Sequence, residues 1–463
     1  MEHSSRKNKW ATLISCSLSC FLGFVDFAIV NTALPVIQNS LGASMMQLQW
    51  VISAYNLALC TMIVMQGRLA DLWGRRRMNQ LGVIAFGVSS LFAGLSPNPG
   101  WLIFWRVVQG LSTAAVIPSA LALITHTFPQ TERGKAIGIW SSITGLGWAV
   151  GPVLGGFLVS ALSWRWIFYI NIPFVAICLL LNLLFVKESR DESAEKKIDL
   201  KGVLLLTLGI CSLVYAFINA PDWEWKSMHS IAFIGFGCVC LILFYFSEKQ
   251  SKNPTIQFHL FANRTFFSCT LVLFCNLFIM SAIFFLAPLY LQNIQHQAPF
   301  IAGLMLLPIT ACIVLFSPFI GHLVDKFSAK KLMQTGLILY FLGIYMQSYF
   351  YAKSSIAFIL ISFFLLGLAW AFVRNPATTK GIGSVPPQMA GTATGVIWTI
   401  QNIGGALGVA LAVTVFRMLY ETTHNTYSFL LGYQYGMRFL CALAALAFFA
   451  ITVFMKEKRA EYP

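Results

Sequence analysis

Long apolar runs separated by short polar breaks cover most of the chain, and a helix that crosses the hydrocarbon of a bilayer needs about 20 such residues in a row. Fourteen runs are long enough, at about 10 to 36, 47 to 67, 78 to 97, 101 to 125, 134 to 160, 166 to 186, 200 to 219, 229 to 248, 266 to 292, 299 to 323, 332 to 350, 355 to 374, 390 to 417 and 434 to 455. The pattern therefore predicts an all-α integral membrane protein with fourteen spans. Composition excludes the soluble alternative: 58% of residues are hydrophobic and 10% charged, with a mean hydropathy of +0.74, whereas a soluble surface needs roughly a quarter of all residues charged. The first run is too long for the core of a signal peptide and is followed by no small-residue cleavage site, so it is expected to be retained as a span.

The polar breaks carry the charge. A net +15 might suggest nucleic acid, but the cations sit in short breaks, most of them in those on the same side as the termini. Arg165, Lys226, Lys353, Arg417 and Arg438 are the exceptions at the opposite ends. This asymmetry is a topology signal, and it predicts a multi-pass protein of the plasma (cytoplasmic or inner) membrane with both termini cytoplasmic. The 11 cysteines all fall in apolar runs, where a thiol behaves as a small hydrophobe. They indicate neither a disulfide framework nor a metal site.

One break is repeated. Gly67-Arg68-Leu69-Ala70-Asp71-Leu72-Trp73-Gly74-Arg75-Arg76-Arg77 reads as a basic loop, and Gly321-His322-Leu323-Val324-Asp325-Lys326-Phe327-Ser328-Ala329-Lys330-Lys331 returns its glycine, leucine, aspartate and two terminal cations at the same offsets. Such an echo implies a duplicated membrane protein with parallel halves. The offset fits six helices, two extra helices and six more: a bundle over 1–186, a charged cytoplasmic linker over 187–199, two additional spans over 200–248 and a second bundle over 249–463.

Ionisable residues in hydrocarbon are costly and mark function by default. Among the acids, Asp26 alone lies well inside a predicted span, and Arg106 in the fourth span is its natural partner at similar depth. Desolvation favours the neutral form of such a carboxyl group and a cation favours the charged one, the two opposing influences that make a proton site switchable. The positions corresponding to this pair under the repeat are Met280 and Leu360, so the charge chemistry belongs to the first half.

The fifth span carries Gly147, Gly151 and Gly155 four apart, with Pro152 and Gly156, a smooth stripe for close helix packing beside a residue that removes a backbone donor. Gly404, Gly405 and Gly408 in the thirteenth span form a weaker counterpart, and the two stripes are expected to face each other where the halves meet. Candidate lining of a substrate cavity comprises Asn31, Tyr55, Gln109, Trp140, Asn276, Phe284, Tyr290, Trp370, Asn375 and Gln401, isolated polar and aromatic groups suited to apolar and cationic molecules. The chain has no Gly-x-x-x-x-Gly-Lys loop, no His/Glu metal pattern and no extramembrane stretch long enough for an ATPase or catalytic domain. It is not expected to be an enzyme or to need a cofactor, and an ion gradient must supply the energy.

On these motifs the sequence resembles the major facilitator superfamily, and specifically its fourteen-helix drug:proton antiporter branch. Gly67 to Arg77 is similar to the signature between helices 2 and 3, Arg106 with Gln109-Gly110 to the helix 4 motif, and Gly145 to Gly156 to the helix 5 antiporter motif. Asp26 to Pro35 and Trp164 to Pro173 resemble the branch's helix 1 motif and helix 6 entry. The resemblance implies two six-helix bundles rocking about a central cavity, with the helix 5 glycines in the seal. It implies that Asp26 is the coupling carboxylate and that Arg106 tunes it. Gly67, Asp71, Gly74, Arg75, Arg76, Arg77 and Asp325 would form a conformational latch linking the second, fourth and thirteenth spans. Implied partners are a small-molecule substrate, protons and lipid, without nucleic acid, in a monomer that works with a periplasmic adaptor and an outer-membrane channel. The absence of further acids within the spans argues against dicationic substrates. The rival readings are a dedicated exporter of one metabolite such as a siderophore or peptide, an importer, and a non-transporting sensor.

Overall fold

The computed structural model describes residues 2–190, 199–251, 256–324, 327–386, 389–420 and 425–455. These residues form fifteen α-helices and one 3-10 turn: α1 (Glu2–Leu41), α2 (Met45–Trp73), α3 (Arg75–Gly94), α4 (Pro99–Thr127), α5 (Gln130–Ala161), α6 (Trp166–Tyr169), α7 (Asn171–Phe185), α8 (Leu200–Trp223), α9 (Met228–Gln250), the turn Phe258–Ala262, α10 (Arg264–Asn293), α11 (Pro299–Val324), α12 (Ala329–Gln347), α13 (Ile356–Gly383), α14 (Ala390–Tyr420) and α15 (Thr426–Phe454). Among the described residues twelve helical stretches are long and apolar enough to cross a membrane, with α6 and α7 together making one of them. The protein is a multi-pass integral membrane protein. α3 and α12, of 20 and 19 residues, fall outside the twelve; each begins with a cluster of cations and carries amide side chains.

Every predicted span has a helical counterpart, but the ends differ where charge was taken for a boundary. α2 continues through Arg68 and Asp71 to Trp73, so the supposed loop shrinks to Gly74 between α2 and α3. Arg and Asp side chains do not break helices; a glycine at φ 119° does. α13 runs on past Arg374 to Gly383, and α15 starts two turns earlier than expected, at an Asn425 capping box.

The chain divides into two compact units. The first comprises Met1–Ala216, Ile231–Thr255 and Leu291–Leu304; the second comprises Phe217–Ser230, Ile256–Tyr290 and Met305–Pro463. In the first unit α1 packs on α5 and α7, and α4 packs between α2 and α3. In the second α12 packs on α13 and α15, and α14 on α15. Large apolar side chains also point outward, as with Ile231, Val239, Ile242, Leu243 and Phe246 on α9. In water that face would be a liability, whereas lipid solvates it, and the backbone polar groups behind it are satisfied within the helix.

Candidate functional site

The centre of the first unit is a charge network. Gly110 lets α4 lie directly on α2: a Cβ built there would meet the Tyr55 carbonyl and stand 2.8 Å from Ala58 Cβ. This close approach brings Arg106, one turn earlier on α4, against α2, where its Nε donates to Val51 O at 3.0 Å and its guanidinium lies 4.4 Å from the centre of the Tyr55 ring. Arg106 Nη1 donates both to Asp26 Oδ2 on α1 and, at 2.9 Å, to Gln109 Oε1.

The other carboxylate oxygen is held as firmly. Asp26 Oδ1 accepts from Gln109 Nε2 and from Asn171 Nδ2 of α7, each at 3.2 Å, and both amides also donate to Ser90 Oγ of α3, at 2.9 and 3.2 Å. Asp26, Arg106, Gln109 and Ser90 are fully buried and Asn171 almost so. Helices α4 and α7 thus both donate to the carboxylate of α1, and Ser90 of α3 braces the two amides that do so. Such a pair is stable in an apolar interior only when its remaining hydrogen-bonding capacity is used; here Arg106 Nη2 is left without a hydrogen-bond partner. Tyr55 completes the surroundings, its hydroxyl donating to Gly23 O at 3.1 Å and bonded to Thr113 Oγ1 at 3.0 Å.

Asp26 and Arg106 are therefore brought together, and Gln109 and Tyr55 belong with them rather than to a separate cavity. Asn171 and Ser90 are the participants that sequence reasoning passed over. Asn171 lies within the Trp164 to Pro173 motif, so a signal was present, but Ser90 has none: serines are common in membrane helices.

The latch residues occupy the α2–α3 junction. Asp71 pairs with Arg75, Oδ1 lying 2.9 Å from Nε, and not with α4. Gly67 packs on Pro118 of α4. A Cβ built at Gly74 would fall 2.7 Å from the Glu188 carboxyl carbon, and Glu188, in the segment after α7, accepts from the backbone N–H groups of Arg76 at 3.0 Å and Arg77 at 3.2 Å. A carboxylate on the open N–H groups of a helix start is a favourable cap. Glu188 was assigned no role from sequence. Asp325 lies outside the described residues.

The glycine stripes find their partners inside their own units. Cβ atoms built at Gly147 and Gly155 would lie 3.0 Å from Phe21 O and 2.8 Å from Ile29 O of α1, and one at Gly151 would strike Ala28. Gly156 faces the first turn of α11, at 2.8 Å from Phe300 Cα, and α5 remains helical through Pro152. Gly404 and Gly408 lie against Phe274 and Phe278 of α10, and Gly405 against Leu277 and Ser281. This corrects the expectation that the stripes face each other: periodicity identifies a smooth face and not its occupant.

The remaining cavity candidates separate. Asn31 donates back to Phe27 O within α1, and Trp140 and Phe284 are buried. Tyr290 stacks with Tyr433 at 5.0 Å and donates to Tyr351 O at 2.9 Å, as a core aromatic does. Asn276, Trp370, Asn375 and Gln401 lie on α10, α13 and α14 of the second unit. One further ion pair was also missed: the buried Arg417 of α14 holds the exposed Asp222 of α8 through two contacts of 2.8 and 2.9 Å.

The chain matches the model of the Major Facilitator Superfamily over residues 16–409. It is 37% identical over 414 residues to Multidrug resistance protein Stp of Mycobacterium tuberculosis, covering 89% of this chain and 76% of that protein. It is 31% identical over 419 residues to Probable multidrug resistance protein EmrY of Escherichia coli, covering 90% and 82%, and 28% identical to Riboflavin transporter RibZ of Clostridioides difficile, covering 90% of each. Among solved structures, a D-xylose-proton symporter superposes with a TM-score of 0.70 at 15% identity, covering 97% of this chain and 98% of that one.

Proposed function

This chain belongs to the major facilitator superfamily, and from that premise we propose that it is a proton-coupled antiporter that exports small amphipathic or hydrophobic compounds by alternating access. It is read as a fourteen-helix monomer in the cytoplasmic membrane, its termini inside, with two six-helix bundles, two additional central helices and a periplasmic adaptor and outer-membrane channel as further partners. Several relatives, Stp and EmrY among them, are named as multidrug resistance proteins, which supports export.

The observation that carries the reading is the fully buried Asp26 carboxylate with three side-chain donors on it. Protonating it removes the charge around which Arg106, Gln109 and Asn171 are arranged. A proton can then be loaded only if those donors withdraw, and an ion that binds one arrangement better than another shifts the balance between them. Substrate enters from the cytoplasm or inner leaflet while Asp26 is ionised, and protonation from outside favours release and resetting. One proton supplies about 2.3 kcal/mol per 100 mV and about 1.4 kcal/mol per pH unit, enough for a modest substrate gradient. The glycine-lined α1–α5 contact serves as part of the seal, and the α2–α3 junction as a latch.

The test is substrate-driven proton movement in inverted vesicles over a panel of cationic, neutral and anionic compounds. Asp26→Asn is expected to abolish pH-dependent efflux, and efflux that stays proton-linked in that variant refutes the assignment. RibZ, named a riboflavin transporter, favours a second reading, a dedicated exporter of one metabolite. The breadth of the panel that drives proton movement separates the two.

A further inference from the structure

Arg374 lies within α13, nine residues before its last residue, Gly383, and so about 14 Å from that end. It is half-buried. Its guanidinium carbon is 5.2 Å from the ring centre of Trp370 on the same helix and 5.7 Å from that of Trp398 on α14. Of its five N–H donors, one makes a long hydrogen bond of 3.5 Å to Gln401 Oε1, and among the described residues it forms no ion pair. Arg106 and Arg417 each hold a carboxylate. Arg374 holds none among the described residues, and no Asp or Glu occurs within α10, α12, α13, α14 or α15.

A guanidinium flanked by aromatic faces, with most of its fork unused among the described residues and no acidic residue on its own helix, has the chemistry of an anion receptor. Trp398 is itself half-exposed and offers a flat apolar surface beside the charge. We propose that Arg374 with Trp370, Trp398 and Gln401 forms a substrate subsite that takes the acidic group of a planar aromatic monoanion, such as a carboxylate or phenolate on a fused ring. The fork receives the two oxygens, Gln401 is the adjoining amide, and the ring stacks on Trp398. The same cation repels positively charged compounds, the opposite preference to one set by an acidic cavity. This assignment rests on the exporter reading and names a substrate class for it.

Binding is measured by calorimetry on the full-length protein in nanodiscs at neutral pH, with 2-naphthoate, the neutral 2-naphthamide and 2-naphthylmethylammonium. Wild type is expected to prefer naphthoate to the amide and the amide to the ammonium. Arg374→Gln should weaken naphthoate roughly 10- to 100-fold while leaving naphthamide within about two-fold, the expectation for an uncharged ligand that gains little from the fork. Arg374→Lys keeps the charge without the planar fork and should fall between them. If Arg374→Gln yields no folded protein, Trp398→Leu carries the test: it should weaken naphthoate and naphthamide together. Equal affinity for naphthoate and naphthamide, no binding of naphthoate, or a preference that survives Arg374→Gln overturns the proposal. Because binding is read without transport, an anion preference in a protein that drives no proton-linked flux sinks the exporter reading alone; proton-linked flux without an anion preference sinks this one alone.

Discussion

Removing the charge of Asp26 should unsettle the first unit as well as transport, and the structure indicates by how much. In Asp26→Asn one carboxylate oxygen becomes an NH2 group. Placed at Oδ2 it faces the Arg106 guanidinium, and placed at Oδ1 it faces the amide donors of Gln109 and Asn171. Either orientation sets donor against donor and leaves Arg106 charged in a site with no exposure. Breaking a buried pair by removing one partner costs about 3–5 kcal/mol, and for a unit of this size that is a fall of roughly 6–20 °C in apparent melting temperature. Salt should change the loss little, since buried charges are weakly screened.

The double variant Asp26→Asn/Arg106→Gln removes both charges, and should recover at least half of the lost stability without recovering proton-linked efflux. Thermal unfolding of the purified wild type, the two single variants and the double variant forms a complete cycle. Strict additivity, or a loss below about 1 kcal/mol in Asp26→Asn, would show that the two groups do not depend on each other, and the account of a coupled site would fail.

How much of this was legible in the sequence varies with what each signal physically encodes. Asp26 and Arg106 stood out because charge in hydrocarbon is rare enough to be informative singly. Asn171, Ser90 and Glu188 did not, since their roles exist only through side chains and backbone groups of other helices, as with Asn171 on Ser90 across 81 positions. The spans were legible from apolar length, but their ends were set wherever charge began. That rule cut α13 at Arg374 and hid that this arginine lies within a helix, beside Trp370 and Trp398. The glycine stripe was visible as a smooth face, yet a face carries no label for its partner, and α1 rather than α14 supplies it. Gly74 was legible for the wrong reason: it is the break in a helix and not one glycine of a loop.

Three further outcomes test the rest. Gly74→Ala places a Cβ at φ 119° and 2.7 Å from the Glu188 carboxyl carbon; a loss of about 1–3 kcal/mol in thermal unfolding is expected, and an unchanged melting curve would show the junction to be pliable. Gly155→Ala drives a methyl group to 2.8 Å from Ile29 O, a backbone atom that cannot turn aside, so α1 and α5 must separate. Overpacking of about 1–3 kcal/mol and slowed efflux are expected, and wild-type rates would remove this contact from the seal. The last outcome joins the two sites. If one proton enters for each aromatic monoanion exported through the Arg374 subsite, two charge equivalents cross the field together, about 4.6 kcal/mol per 100 mV, against about 2.3 for a neutral substrate and none for a monocation. In proteoliposomes clamped with potassium and valinomycin at zero pH gradient, the logarithm of naphthoate accumulation should therefore rise twice as steeply with potential as that of naphthamide. Equal slopes would mean that the anion travels with a compensating charge, and the one-proton coupling assigned to Asp26 would have to be abandoned.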